Sequence, residues 1–332
     1  LNPVIPLMCD GISHAGAEIV DVPDPCRLSG ADFDIFQLHW PELFWWGRGR
    51  KGVAIKSWQI IAALRNLKQQ GVRIVWMVHN LEPHEMGRWQ RIIWSYYQRE
   101  LCRLASGFLT LCPSTISLVH AAFPRFARIP RGFAWHPAYT NVTVPDSVRE
   151  ETRAALHFDG STQVFACLGL IRAYKGIDKL VRAFRQLPDA DVGLIVAGAA
   201  ADNEIRQRVS GEAEGDPRIR LDFRFLEEAE LRAYTAASDV IVLPYLRYLH
   251  SGSLVHALSG QRMVLTPDTP FAHDLYERLG PEWVHLYNPP LTPQIMASLR
   301  QARPSIPCPI QERLSYIQTG AAMVQFYNSL IG

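Results

Sequence analysis

Apolar and polar positions along this chain fall into two alternating rhythms. Short runs dense in Val, Ile, Leu and Phe read as buried strands. Between them, apolar residues recur every three or four positions, as on one face of a helix. Phe33 to His39 reads as a strand ending at Trp40-Pro41-Glu42. Ile55 to Gln69 reads as a helix stopped by Gly71, and Arg73 to His79 as a second strand ending in the loop Asn80 to Glu85. A helix from about Arg88 to Leu104, a strand from Gly107 to Cys112 and a helix with Ser114 as its N-cap follow. This is the βαβ rhythm of a parallel sheet.

Proline-rich, irregular sequence from Pro130 to Pro145 reads as a linker, and the rhythm then restarts. Strands are expected at Gln163 to Leu170, Val192 to Gly198, Ile219 to Phe223, Val240 to Pro244 and Arg262 to Thr266. Helices are expected at Val148 to Leu156, Ile177 to Arg185, Asp202 to Val209, Glu228 to Ala237 and Gly252 to Ser259. The pattern predicts an α/β chain of two Rossmann-like, doubly wound parallel-sheet domains, residues 1–145 and 146–310, facing a central cleft. A last helix, 311–331, has no partner strand and is expected to pack back on the first domain. The chain opens on an amphipathic stretch, Val4 to His14, where such a domain would have a strand and turn. The opening strand is therefore expected upstream, in a natural protein that begins some residues earlier.

Composition narrows the class. With 48% apolar residues in 332, neither disorder nor a collagen-like repeat is tenable. Apolar runs such as Val164 to Ile171 are far short of the roughly 18 residues a bilayer span needs, and no basic segment leads into an apolar leader. The six cysteines form no C-x-x-C pair and lie mostly in apolar segments, which suits reduced, buried thiols. The net charge of +2 conceals an asymmetry. Residues 1–145 carry 15 Lys and Arg against 10 Asp and Glu, leaving 19 against 22 for the remainder. The basic half also holds Trp45, Trp46, Trp58, Trp76, Trp89 and Trp94.

Ligands of parallel sheets sit beyond the carboxyl ends of the strands. The segment Gly169 to Gly176 places Arg172 and Lys175 in such a loop, directly before a helix. Two cations and the free N–H groups of a helix start make a diphosphate site, although solvated surface cations are the plainer reading of either alone. A second helix start, Ser251-Gly252-Ser253, offers backbone and hydroxyl donors at the matching place after the strand ending at Pro244. No Walker or dinucleotide fingerprint occurs, and His84-Glu85 fails as a zinc motif because position 88 is Arg88. No metal or cofactor is called for.

GLIRAYKG (169–176) before a helix, with LPY (243–245) before a Ser/Gly helix start, resembles the nucleotide-sugar half of GT-B glycosyltransferases. HWPE (39–42) and HNLEPHE (79–85) resemble the N-terminal half of bacterial members. In particular they resemble the GDP-mannose:glycolipid β-1,4-mannosyltransferases of xanthan-type exopolysaccharide assembly. The resemblance implies GDP-mannose as donor and a polyprenyl-diphosphate-linked oligosaccharide as acceptor. It also implies a cytoplasmic enzyme peripheral on the inner membrane. Retaining members usually carry two glutamates eight residues apart. Here Tyr248 and His256 stand in those places, which fits an inverting transfer.

An inverting transfer needs a base for the acceptor hydroxyl and stabilisation for the departing diphosphate. Arg172, Lys175, Ser251, Gly252 and Ser253 would supply the second. Arg224, Tyr245 and His256 are expected near the nucleotide and sugar. By resemblance His79 contacts the donor, so Glu42 and Glu85 are the better bases, with His39 and His84 beside them on the acceptor side. Alternatively Glu85 caps a helix, Glu42 makes a salt bridge, and the base lies in the opening strand-turn. In the helix 88–104, Trp89, Ile92, Ile93, Tyr96 and Leu101 share one face, and Arg88, Arg91, Arg99 and Arg103 another. Besides a core face and a solvated face, this allows attachment to an anionic membrane, with Trp45, Trp46, Arg48, Arg50, Lys51 and Trp89 as contacts. Three other readings compete: a soluble GT-B enzyme with another nucleotide sugar and a non-lipid acceptor, a non-catalytic sugar binder, and a nucleic-acid binder. The last leaves the diphosphate loops unexplained, so no nucleic acid is expected as partner.

Overall fold

The computed structural model describes residues 3–22, 24–28, 33–45, 47–83, 86–245 and 248–332. The chain divides into two units, Leu1–Pro137 with Tyr316–Gly332, and Ala138–Ser315.

In the first unit the elements run α1 (Val4–His14), β1 (Ile35–His39), α2 (Arg50–Gln69), β2 (Arg73–Met77), α3 (Arg88–Leu104), β3 (Gly107–Thr110), α4 (Thr115–Ala122) and β4 (Arg131–Phe133). The strands form a parallel sheet in chain order, β1-β2-β3-β4. Crossovers of one hand, all stepping the same way, put the intervening helices on one face and leave the other bare. That second face presents Ile35, Val75, Met77, Leu109 and Leu111. It is closed by Val4, Met8 and Ile12 of α1 with Met323 and Tyr327 of the C-terminal helix (Tyr316–Ile331). The two covering helices cross backbone to backbone. A Cβ on Gly320 would lie 1.9 Å from the carbonyl carbon of Gly11, so neither glycine tolerates a side chain.

The second unit runs α5 (Asp146–Ala155), β5 (Gln163–Leu168), α6 (Ile177–Arg185), β6 (Val192–Ala197), α7 (Asn203–Ala213), β7 (Ile219–Asp222), α8 (Glu228–Ala237), β8 (Val240–Val242), α9 (Gly252–Ser259), β9 (Met263–Pro267), α10 (Pro270–Leu279) and β10 (Val284–Tyr287). All six strands are parallel, in the order β10-β9-β8-β5-β6-β7. Every residue of β5, β6, β8 and β9 is buried, as expected of a parallel sheet covered on both faces. The strand order reverses between β5 and β8. Connections there diverge to opposite faces and open a crevice beyond the strand ends.

Several expectations need correcting. The stretch 130–145 is not all linker, since Arg131–Phe133 pairs with β3 as the edge strand. Three residues are too few to show an alternation. The division between units falls at 137/138 rather than 145/146, because Ala138 donates to Leu314 O and Tyr139 N is held by Ser259 Oγ, 3.0 Å away. The last helix breaks: a short turn, Ile310–Arg313, stays in the second unit, and Tyr316–Ile331 belongs to the first. Ser114 sits in right-handed helical conformation and its side chain does not cap α4. The α10–β10 pair after Pro267 is an addition to the expected elements; the apolar run of β10 is short, and His285 and Leu286 at its centre are only half-buried.

Candidate functional site

In the second unit both anion loops predicted from the sequence flank the reversal point. After β5 the chain turns through Gly169 at φ +97°, and Gly198 after β6 approaches so closely that a Cβ there would lie 2.2 Å from Gly169 O. Ala173–Lys175 then forms one 3-10 turn, and Gly176, at φ +66°, opens α6 in the left-handed conformation that glycine alone adopts without cost. Lys175 is buried beneath this turn. Burial pulls its ammonium below the usual lysine range, and the neighbouring Arg172 adds to the effect. Among the described residues no carboxylate is paired with this lysine.

The loop after β8 meets it. Lys175 Nζ lies 5.3 Å from the centre of the buried Tyr245 ring. Tyr245 Oη is 2.8 Å from Ser251 Oγ, which in turn accepts from Leu254 N as the N-cap of α9. Gly252 and Ser253 are the first residues of that helix, so their N–H groups have no acceptor within it. One tyrosine thus ties the buried cation to the helix start, a pairing of positive charge and free N–H groups suited to phosphate oxygens. Tyr248 is held by Thr266 Oγ1 at 3.1 Å and Thr269 Oγ1 at 2.9 Å. His256 lies a full turn further along α9, 5.8 Å from the Tyr139 ring. Burial, then Arg232, pushes it down to about 4. Arg224 is taken up by Asp222 and Glu230 on the unit's surface.

The first unit has its own polar cluster at the carboxyl ends of β1 and β2. His39 ends β1 and His79 follows β2, and their rings meet through His39 Nδ1 and His79 Nε2, 2.8 Å apart. Trp40, a non-glycine residue at φ +36°, stacks on His79 with centroids 3.8 Å apart and planes 15° from parallel. Strain of this kind persists where the surroundings over-determine it, and functional sites are where it gathers. Glu42 sits in the 3-10 turn Pro41–Trp45, half-buried, with Asn80 Nδ2 at 3.5 Å from Oε1. Burial raises its carboxyl above the usual range. Among the described residues no cation pairs with Glu42, so the salt-bridge alternative is not realised. His84 and Glu85 lie outside the described residues, as does Trp46. Among the described residues, no group of three or more His, Cys, Asp and Glu is placed to hold a metal ion.

The proposed membrane contacts need revision. Trp45 is buried, donating to Ser57 Oγ at 2.9 Å and packing on Trp94 and Tyr97. It belongs to the core because the 3-10 turn aims it under α2. The buried face of α3 is Trp94, Tyr97, Leu101 and Leu104 rather than Ile92, Ile93 and Tyr96. Trp89 is half-buried. Instead Ile55 and Trp58 of α2, with Ile92 and Tyr96 of α3, stand exposed, Trp58 at 64% and Ile92 at 70%. Arg48, Arg50, Lys51, Arg88, Arg91 and Arg99 are exposed in the same part of the unit. No helix of the described residues is long and apolar enough to cross a membrane.

Gln37, Trp40, Asn80 and Tyr327 were not singled out from sequence. Gln37 and His39 did carry a signal: two polar residues, two apart, on one face of an otherwise apolar strand. Tyr327 carried none.

Comparison with known proteins agrees with this layout. The family of glycosyl transferases group 1 matches residues 162–280, from β5 to the end of α10. Two proteins of Xanthomonas campestris pv. campestris, each a GDP-mannose:glycolipid 4-beta-D-mannosyltransferase, are 27% identical over 308 and 307 residues. Each match covers 90% of this chain and 81% of the relative. Among solved structures, Anabaena HepE in complex with UDP and glucose aligns with a TM-score of 0.65 at 15% identity, over 90% of this chain and 78% of that one. Sucrose-phosphate synthase from Thermosynechococcus elongatus aligns with a TM-score of 0.63 at 17% identity, over 82% and 72%. With two parallel-sheet units of this topology and a group 1 domain around the reversal point, the chain is a glycosyltransferase of GT-B fold.

Proposed function

We propose that the chain transfers mannose from GDP-mannose to a hydroxyl of a polyprenyl-diphosphate-linked oligosaccharide. The transfer inverts the anomeric centre and serves exopolysaccharide assembly at the cytoplasmic face of the inner membrane. The observation that carries the reading is the junction at the reversal point, where Lys175, Tyr245 and Ser251 place a buried cation beside a helix start. The Xanthomonas relatives supply the sugar, the nucleotide and the glycolipid acceptor.

In the reaction the acceptor oxygen attacks the anomeric carbon while the bond from that carbon to the β-phosphate oxygen breaks. Glu42 takes the acceptor proton. A carboxyl raised by burial is closer to neutrality and is the better matched base. GDP leaves with its new charge facing Lys175, Arg172 and the Gly252–Ser253 N–H groups. Tyr248 and His256, at the places of the retaining glutamates, fit a single displacement. Attachment to an anionic bilayer rests on Ile55, Trp58, Ile92 and Tyr96 among exposed arginines and lysines, the pairing of apolar and basic groups that a lipid interface favours.

Turnover of GDP-mannose on a lipid-linked oligosaccharide, with the product anomer assigned by NMR, tests the proposal. A β-mannoside is expected. An α product would sink the inverting mechanism. Thermal protection by UDP but not GDP, with turnover of a UDP-sugar, would replace the donor.

A further inference from the structure

The basic residues on the helices of the first unit fall into two groups. Lys56 is paired with Asp24, Arg65 and Arg103 with Glu100, and Lys68 Nζ reaches Leu104 O at 2.8 Å. Arg50 and Lys51 open α2, and Arg88 and Arg91 stand at the head of α3. These four are exposed, and among the described residues none has an acidic partner. The sequence explains the difference, since no Asp or Glu occurs from Leu43 to Leu81 or from Met86 to Arg99. A helix start is the unfavourable end for a cation, so these four gain nothing from the free protein.

The paired cations set the register of the two helices. Arg65 with Glu100, and Lys68 with Leu104 O, place residue i of α2 level with about i+35 of α3. Both helices follow parallel strands, so both start at the end of the unit where β1 and β2 finish, the end that carries His39, Glu42 and His79. On that common scale the four cations lie nearest the strand ends. Ile55, Trp58, Ile92 and Tyr96, all exposed, lie about one and a half turns further along, roughly 8 Å at the rise of a helix. Each helix repeats the order along one side: Lys51, Ile55 and Trp58 at i, i+4 and i+7, and Arg88, Ile92 and Tyr96 at i, i+4 and i+8. Trp45, buried against Ser57 of α2 and Trp94 and Tyr97 of α3, joins the two helices at this level.

We propose that Arg50, Lys51, Arg88 and Arg91 form a second diphosphate site, which takes the diphosphate of a prenyl-diphosphate lipid while the apolar layer takes the start of its prenyl chain. This rests on the glycosyl-transfer reading, in which such a lipid is the acceptor. An acceptor of that class is ordered sugar, diphosphate, prenyl chain. The unit is ordered the same way, with Glu42 at the strand ends, then the cations, then the apolar side chains. Guanidinium groups pair with two phosphate oxygens at once, and a diphosphate complements four cations that the protein leaves unopposed. Attachment to a bilayer alone needs no such order, because an interfacial helix carries its cations beside the apolar strip rather than at one end of it. Arg99, exposed beyond the apolar layer, lies outside the site and serves as its control.

Flotation of the full chain with two sets of phosphatidylcholine vesicles tests this. One set carries undecaprenyl diphosphate, the other phosphatidylglycerol at equal total charge. Tighter binding to the diphosphate set is expected, with inorganic diphosphate competing only weakly because it lacks the chain. Lys51→Gln with Arg88→Gln should lower affinity for the diphosphate set roughly 10- to 30-fold. The same double variant should raise the KM for the lipid-linked acceptor in proportion and leave the KM for GDP-mannose unchanged. Arg99→Gln should keep the preference. Melting temperature checks the fold of each variant, and should the first pair misfold, Arg50→Gln with Arg91→Gln removes the same charge.

Equal binding to the two vesicle sets overturns the proposal, because surface charge alone would then account for it. So does a preference that survives both double variants, or one lost as fully in Arg99→Gln. Inorganic diphosphate that displaces the chain at the concentration of the lipid overturns the lipid as ligand. A wild type that prefers the diphosphate set yet turns over no nucleotide sugar defeats the glycosyl-transfer reading and leaves the site standing. Turnover with the acceptor KM unmoved in both double variants defeats the site and leaves that reading standing.

Discussion

Replacing Lys175 by methionine should move stability and turnover in opposite directions. The side chain is buried and its ammonium is disfavoured by desolvation, with Arg172 adding repulsion. Sequestering an ion of this size costs several kcal/mol before compensation. The compensation in the free protein is the face of Tyr245, 5.3 Å from Nζ, and a cation over an aromatic ring contributes about 0.5–2 kcal/mol. Methionine keeps most of the apolar stem, loses that contact and removes the desolvated charge. Thermal stability of the unliganded variant should therefore equal or exceed that of the wild type. With a diphosphate bound the balance reverses. A charge about 4 Å from a phosphate oxygen interacts by roughly 4 kcal/mol at an effective dielectric near 20. Losing one preorganised donor of transition-state charge costs about 3–4 kcal/mol, or 10²- to 10³-fold in kcat/KM. The assay pairs differential scanning fluorimetry, with and without GDP, with steady-state GDP release. A variant within threefold of wild-type kcat/KM would refute the assignment of Lys175 to the diphosphate. A variant that melts several degrees lower without ligand would refute the electrostatic account of the site.

Glu42→Gln should lower kcat by about 10²- to 10⁴-fold if Glu42 is the base. Because burial raises its carboxyl, the base is lost by protonation as pH falls, and the acid limb of kcat/KM should lie above the ordinary glutamate value of 4.5. The same burial disfavours the carboxylate, so Gln at this position should slightly stabilise the fold at neutral pH in urea titrations, and a destabilised variant would contradict the direction of the shift. Gly320→Ala forces a methyl into the backbone of α1, with a contact of 1.9 Å to relieve, and should cost about 3 kcal/mol or more in chemical denaturation. The double variant Trp58→Ser with Ile92→Ser should reduce flotation with anionic vesicles and leave the melting temperature within about 2 °C, since both side chains are exposed. Trp45→Ala, a core truncation, should instead cost about 3–5 kcal/mol.

The sequence is most legible where a local pattern is enough. Helices α3, α6, α8 and α9 begin and end where periodicity and caps place them. The loops holding Lys175 and Ser251 can be read as anion sites because a helix start is a property of one segment. The same locality misleads at Trp45. Set in a Gly/Arg loop it is expected as a membrane contact, yet the 3-10 turn aims Trp45 into the core against Ser57, Trp94 and Tyr97. On α3 the apolar residues cover more than one face, so periodicity alone cannot say whether Trp94 or Ile92 points inward. Packing against α2 selects Trp94, and Ile92 is left outside.

What the sequence by itself determined is the set of elements, their parallel alternation and the chemistry carried by single loops, because each depends on residues within a few turns of one another. The tertiary structure alone decided how the two anion loops meet. The reversal of strand order between β5 and β8 sets Lys175 against Tyr245 and Ser251. It also decided that a tyrosine near the C-terminus ends a hydrogen-bond chain begun at His79. Strand order and the docking of the last helix follow from burying both faces of each sheet, a condition the whole chain must meet together and no segment reveals alone.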